Sequence, residues 1–191
     1  MSKYKKLSDQ ELIKLINKFD SRALEEIYER YSAIIYTLVK KIVQDEDAAE
    51  NLLIEIFSIL WRKSDKFDPE KESTFTWLVT LSRNRAVDFI KRTRPNNLTE
   101  YDDTYEDYFI VPKLSKNIDA IDIKTAESIK PQIEEAFNNL TDAQRFVIEQ
   151  AFYEGRNIKE ISEQLNIPVE TVRSKIMTAL QNLKENLLTG E

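Results

Sequence analysis

Two glycines in 191 residues leave this chain almost no backbone that can turn at positive φ without cost. A sheet-rich fold needs turn residues at every hairpin, and five prolines do not supply them. With 41% hydrophobic and 32% charged residues, the composition points to a mostly helical, soluble protein. Its length suits one large domain or two small ones, each near the size at which a single core is only just sufficient.

The chain has no cysteine and no histidine. Disulfides, thiol nucleophiles, imidazole bases and the usual zinc sites are therefore excluded, and no carboxylate-rich metal loop is present to replace them. No cofactor is expected. The stretch "MSKYKKLSDQ" lacks the apolar centre of a signal peptide, and no apolar run reaches the length of a membrane span, so a cytoplasmic protein is expected.

The net charge of −6 is unevenly spread. Residues 1–95 carry 18 Lys+Arg against 16 Asp+Glu, residues 96–139 carry 4 against 10, and residues 140–191 carry 6 against 8. The acidity is concentrated in the middle, where "NNLTEYDDTYEDYFIVPKLSKN" shows no sustained period. That segment is expected to be a flexible acidic linker, extended or partly disordered.

Helical periodicity dominates on either side. Ser8 with Glu11 forms a capping box before Leu12, Ile13, Leu15 and Ile16. Asp20 precedes a longer helix carrying Ile27, Tyr31, Ile35 and Val39, which "QDEDAAE" interrupts. A third helix runs through Leu52, Leu53, Ile56, Phe57, Leu60 and Trp61, with acids at its positive end. After the charged loop "KSDKFDPEKES", the run "TFTWLVTLSRNRAVDFIKRTR" places Phe75, Leu78, Val79, Ala86, Phe89 and Ile90 on one stripe. A different face carries Trp77, Leu81, Asn84, Asp88 and Lys91, with Arg85 and Arg92 beside them.

Helices return near Ile118. Thr141 with Gln144 and Asn157 with Glu160 are two further capping boxes, and Gly155 closes the helix between them. In "NIKEISEQLNIPVETVRSKI", Ile158, Ile161 and Leu165 make an apolar face, Asn166 tolerates a left-handed end, and Pro168 suits the first turn of the next helix. Val172, Ile176 and Leu180 continue the core face, leaving Glu170, Thr171, Arg173, Ser174, Lys175 and Thr178 outward. This pattern fits a helix-turn-helix with a recognition helix, and spacing alone also fits any short helical hairpin. Arg173 and Lys175 are few cations for the task, because phosphate neutralisation supplies much of the affinity for DNA.

The first domain has a second candidate surface. Phe67, Phe75 and Trp77 stand close in sequence to Lys66, Lys71, Arg83, Arg85, Lys91, Arg92 and Arg94, a mixture suited to stacking on unpaired bases and steering their backbone. The competing expectation is a core role, which for Phe75 has the stronger claim. The acid pairs sit on helix surfaces, and there is no glycine-rich phosphate loop, nucleophile elbow or metal-ligand cluster, so no enzyme is expected.

Two blocks, "ALEEIYERYSAIIYTLVKKIVQDEDAAENLLIEIFSILWRKSDKFDP" with "FTWLVTLSRNRAVDFIKR", and "LTDAQRFVIEQAFYEGRNIKEISEQLNIPVETVRSKIMTALQNLKENL", resemble the extracytoplasmic-function sigma factors of the sigma-70 family. The resemblance covers nearly everything except the linker. It implies an all-α protein of two small helical domains, region 2 at residues 1–95 and region 4 at residues 118–191, joined by a linker at 96–117. It also implies that the first domain docks on the β′ clamp helices of bacterial core RNA polymerase and opens the minus-ten element. The second domain would read the minus-thirty-five element while held on the β flap, so that polymerase brings the acidic module to promoter DNA.

By position, the resemblance assigns polymerase binding to Asp47, Glu50, Asn51, Ile54, Glu55, Phe57 and Trp61. Ser64, Lys66, Phe67 and Lys71 match the loop that shapes the minus-ten pocket, and Trp77, Arg83, Asn84, Arg85, Asp88, Lys91 and Arg92 match the helix that reads and melts it. Glu170, Thr171, Arg173, Ser174, Lys175 and Thr178 match the minus-thirty-five recognition helix. Asn51 and Ile54 depart from an Asp-x-x-Gln pattern usual in the family, a glycine usual near Ser73 is absent, and Met177 and Thr178 replace residues that are commonly His or basic. The last of these departures implies poor promoter choice by the second domain alone and a recruiting partner that helps to place the holoenzyme. An anti-sigma factor is implied by family habit. The rival expectations are a stand-alone helix-turn-helix regulator and a protein-binding adaptor that has lost DNA recognition.

Overall fold

The computed structural model describes residues 3–93 and 123–188. These residues form two compact units. Among them are nine α-helices and two short 3-10 turns, with no strand. The expected linker, and the expected boundaries at residues 95 and 118, lie outside the described residues.

In the first unit the helices are α1 (Asp9–Ile16), α2 (Ser21–Val43), α3 (Glu46–Lys63) and α4 (Thr74–Thr93). Each begins where a side chain can take the free amides of the first turn. Ser8 and Glu11 form the expected capping box, Asp20 accepts from the amides of Arg22 and Ala23 at 3.0 and 3.4 Å, and Asp45 accepts from Ala48 at 2.7 Å. Ser73 Oγ accepts from the Thr76 amide at 3.0 Å, capping α4. Between α2 and α3, Gln44 takes φ 59 to end one helix before Asp45 starts the next.

The long helix α2 is the axis of this unit and packs against α1, α3 and α4. Its row Ala23, Ile27, Tyr31, Ile35 and Val39 is fully buried at i, i+4 spacing, and Leu12, Ile16, Ile56, Leu60, Leu78 and Val87 are buried on the helices packed against it. Each of the larger aliphatic side chains contributes roughly 1.5–3 kcal/mol by leaving water. The stripe on α4 differs from expectation: Leu78, Ala86 and Ile90 are buried, but so are Thr74, Ser82, Arg83 and Val87, whereas Phe75, Val79 and Phe89 are half-buried. Packing against both α2 and α3 favours small residues in that groove, and Ser82 satisfies its hydroxyl by donating to the Leu78 carbonyl at 2.6 Å.

Arg30 fastens the start of the chain to α2. Its guanidinium donates to Glu26 at 2.9 Å, to Asp9 at 2.7 Å and to the Leu7 carbonyl at 3.0 Å, with longer bonds to the carbonyls of Tyr4 and Lys5. The Tyr31 hydroxyl donates to the other oxygen of Asp9, and Tyr4 donates to Asp20 at 2.9 Å. Burial disfavours the charge on Arg30, but the bonds to Asp9 and Glu26 outweigh it and hold the guanidinium above its usual value.

The second unit contains α5 (Ile123–Ser128), α6 (Lys130–Asn138), α7 (Asp142–Phe152), α8 (Ile158–Leu165) and α9 (Val169–Leu188). Both expected capping boxes are present, Thr141 with Gln144 and Asn157 with Glu160. Gly155 turns the chain out of α7 at φ 62, and the Arg156 amide donates back to the Gln150 carbonyl at 3.0 Å. Val147, Ile161, Val172 and Ile176 form the core, flanked by Phe146, Ile158, Leu165, Ile167 and Leu180.

Candidate functional site

One face of α3 carries Asp47, Glu50, Asn51, Ile54 and Glu55, all exposed, and Ser58 and Arg62 extend it. Ile54 lies at its centre with 66% of its surface in water. A branched apolar side chain so exposed on a polar face is suited to a partner surface. Phe57 does not belong to this face: it is 6% exposed and packs its ring edge-on against Tyr28, centroids 4.8 Å apart. Phe57 is two residues, about 200° round the helix, from Glu55, and about 60° from Ile54 on the side that turns to the core. Trp61 is half-buried and meets Phe19 edge-on at 5.5 Å. Phe19, 71% exposed and at φ 60, was missed by sequence reasoning, because nothing local marks a left-handed phenylalanine.

The loop between α3 and α4 is held from within. Ser64 is buried at the start of a 3-10 turn, and Phe67 is buried with its ring 5.5 Å from Trp77. Asp68 accepts from the Glu70 amide at 3.1 Å and pairs with Lys71 at 3.2 Å, interactions that hold its carboxyl below the usual carboxylate range. Lys66 and Lys71 are exposed. Of the three aromatics, Phe67 is packing and Phe75 stacks on Tyr31 at 6.2 Å, which leaves Trp77, half-buried, as the ring nearest to a surface role.

The expected outer face of α4 is present. Asn84 and Arg92 are exposed, and Trp77, Leu81, Arg85, Asp88 and Lys91 are half-buried along the same side. Burial pushes the Asp88 carboxyl up, and the cations Arg85, Arg92 and Lys91 restrain that rise. Arg85 also lies 3.8 Å from Glu55. Arg83 is the exception. It is 3% exposed, and burial pulls its guanidinium down to about 10. It donates to Asn84 Oδ1 at 3.3 Å and, unlike the other cations of this helix, is not presented on the outer face.

In the second unit, Asn166 takes φ 52, as expected for a left-handed helix end. The Ser162 hydroxyl donates to the Ile167 carbonyl at 2.6 Å, tying the turn to α8. Pro168 stands just before α9 and its carbonyl accepts from the amides of Thr171 and Val172. Glu170, Arg173, Ser174 and Thr178 are exposed on one side of α9, joined by Met177 at 55%, while Thr171 and Lys175 are half-buried. Glu170 pairs with Arg173 at 3.6 Å and occupies one of the few cations of this face.

Residues 27–95 match the family description "Sigma-70 region 2", and residues 136–185 match "Sigma-70, region 4". The chain belongs to the sigma-70 family. A sigma factor performs no catalysis; it binds core RNA polymerase and promoter DNA and directs initiation. Among similar proteins is the ECF RNA polymerase sigma factor SigK of Mycobacterium tuberculosis, 29% identical over 181 residues, covering 92% of this sigma factor and 91% of the relative. The ECF RNA polymerase sigma factor RpoE of Cereibacter sphaeroides is 26% identical over 168 residues, with 88% of each chain covered. Rhodobacter sphaeroides SigE, solved in complex with the anti-sigma ChrR, is 25% identical with a TM-score of 0.45, covering 93% of this sigma factor and 96% of that chain. Among the described residues no helix is long and apolar enough to cross a membrane, and no cluster of acidic side chains could hold a metal ion.

Proposed function

We propose that this sigma factor is of the extracytoplasmic-function class, with region 2 at residues 1–95, a linker at 96–117 and region 4 at 118–191. The observation that carries the proposal is the occurrence of region 2 and region 4 in that order in one short chain. The face of α3 centred on Ile54, with Asp47, Glu50, Asn51 and Glu55, binds the β′ clamp helices. The outer face of α4, with Trp77, Asn84, Arg85, Asp88, Lys91 and Arg92, reads and opens the minus-ten element beside the loop that carries Lys66 and Lys71.

The outer face of α9 contacts the minus-thirty-five element through Arg173, Ser174 and Thr178 while polymerase holds the unit on the β flap. Its grip on DNA is weak alone, since Glu170 occupies Arg173 and the sequence from residue 140 onward is net acidic. A recruiting factor then assists promoter choice, an anti-sigma factor restrains the protein, and both act in the cytoplasm with polymerase. The test is transcription in vitro: core polymerase with this protein, given a fragment library of the host genome, yields transcripts whose start sites share common upstream elements. Transcripts no different from those of core polymerase alone would refute it.

A further inference from the structure

Phe19 stands at the turn between α1 and α2, where the backbone needs a left-handed residue. Its amide donates to the Ile16 carbonyl at 2.8 Å and the Asp20 amide donates to the Leu15 carbonyl at 3.1 Å, which closes α1 with Phe19 at φ 60. Glycine is the usual residue at such a helix end, because it takes positive φ with no clash at Cβ, and a bulky side chain there is an outlier. The chain bears a phenylalanine instead and leaves 71% of it exposed. Neither the turn nor the core asks for this ring. Side chains held on strained backbone cluster at ligand clamps and switch regions.

The Phe19 ring lies edge-on to Trp61, centroids 5.5 Å apart, and Trp61 ends a row on α3. Asp47, Asn51, Ile54, Ser58 and Trp61 follow one another at spacings of four, three, four and three residues; the first four are exposed and Trp61 is half-buried. Ile54 and Trp61 therefore share one side of the helix, about 10 Å apart along it. A row with this spacing is one that a second helix can follow when it lies along the first. The row is polar at its start and apolar at its end, and Phe19 extends the apolar end.

We propose that Phe19, supported by Trp61, is an anchor of the polymerase contact: a β′ clamp helix lying along this row over Ile54 receives the Phe19 ring against its own aliphatic side chains. A ring in water that already rests on a neighbouring ring loses little freedom on docking and gives a large apolar surface to the partner. Aromatic anchors of this kind dominate interface energies. Continuity of the row with the face assigned to polymerase names the occupant, and the inference rests on that assignment.

The experiment titrates the full chain with core polymerase by fluorescence anisotropy and follows thermal unfolding of the same proteins. Phe19→Gly and Phe19→Asn introduce residues that tolerate positive φ, so the turn survives in both. Each should weaken polymerase binding by about tenfold or more, the scale of an anchor residue, with a melting temperature close to or above that of the native protein. Ile54→Arg, on the same row, is the reference for the face. Loss of binding in Ile54→Arg with none in the two Phe19 variants would overturn the inference and leave the α3 assignment intact. So would a fall in melting temperature as large as that of Phe57→Ala, which would make the ring a packing element over Trp61. Binding unchanged in all three variants would remove the α3 assignment and the role of Phe19 together.

Discussion

The carboxylate of Glu55 on α3 lies 3.8 Å from the guanidinium of Arg85 on α4. The two helices carry the two proposed surfaces of region 2, so this contact joins the polymerase-facing face to the minus-ten face. Glu55 and Arg85 are 47% and 30% exposed, and an ion pair so solvated contributes at most about 1 kcal/mol. Its interest is functional. Arg85→Ala with Asn84→Ala should abolish promoter opening, read by permanganate reactivity of unpaired thymines, while polymerase binding persists. Loss of both together would mean that the surfaces are not separable.

Ile54 is exposed on α3 and Phe57, one turn along and rotated toward the core, is buried, so their variants should separate surface from core. Phe57→Ala removes a buried ring and is expected to lower unfolding free energy by roughly 3–5 kcal/mol. Ile54→Arg changes a side chain already in water and should stay within about 0.5 kcal/mol in stability while weakening polymerase binding. Urea unfolding of both variants checks the first half of this statement, and titration with polymerase checks the second.

Arg30 gathers Asp9, Glu26 and the carbonyls ahead of α1 onto α2. Arg30→Met should destabilise region 2 by about 2–3 kcal/mol, because Asp9 and Glu26 are left without their shared cation. Thermal unfolding would show it, and proteolysis should cut first near residues 3–8, now untethered.

The carboxyls respond to acid in opposite senses. Hydrogen bonds to Ser8 hold Glu11 below its ordinary value, and bonds from Tyr4 and the α2 amides outweigh burial at Asp20; Asp68 is lowered by the Glu70 amide and Lys71. Their stabilisation is complete above the ordinary values of 4.5 for Glu11 and 3.8 for the two aspartates, and is lost as pH falls through the lowered native values. Asp88 is raised by burial, so its contribution favours the fold below 3.8 and disappears as pH rises through the native value. Asp88→Asn should therefore raise the melting temperature at neutral pH while impairing promoter opening. A lower melting temperature would show that Asp88 stabilises the fold as an anion.

Glu170 limits what α9 can offer to DNA. Glu170→Gln frees Arg173 and removes a negative charge, so holoenzyme binding should show a salt dependence steeper by about one phosphate contact. Affinity for DNA measured across a salt series checks this directly.

The helix starts were legible in the sequence because a cap is a local event. Ser8 with Glu11, Thr141 with Gln144 and Asn157 with Glu160 need only three residues of spacing, and Asn166 needs only its own tolerance of positive φ. Orientation within the bundle was less legible. The apolar residues of α3 spread over more than half its circumference, so nothing in the pattern distinguished exposed Ile54 from buried Phe57. Similarity to a family carries a residue's place along a helix but not the packing that buries Arg83 on a helix flanked by both α2 and α3. The outer faces of α4 and α9 were recovered because polar residues at helical spacing mark a solvent side directly.

Fluorescence anisotropy of the labelled protein titrated with purified bacterial core RNA polymerase, beside an Asn51→Lys/Ile54→Arg double variant, tests whether the α3 face is the polymerase contact. Tight, saturable binding is expected, lost by the double variant although it remains folded. No binding by the native protein, or equal binding by the variant, would contradict the assignment of the α3 face as the polymerase contact.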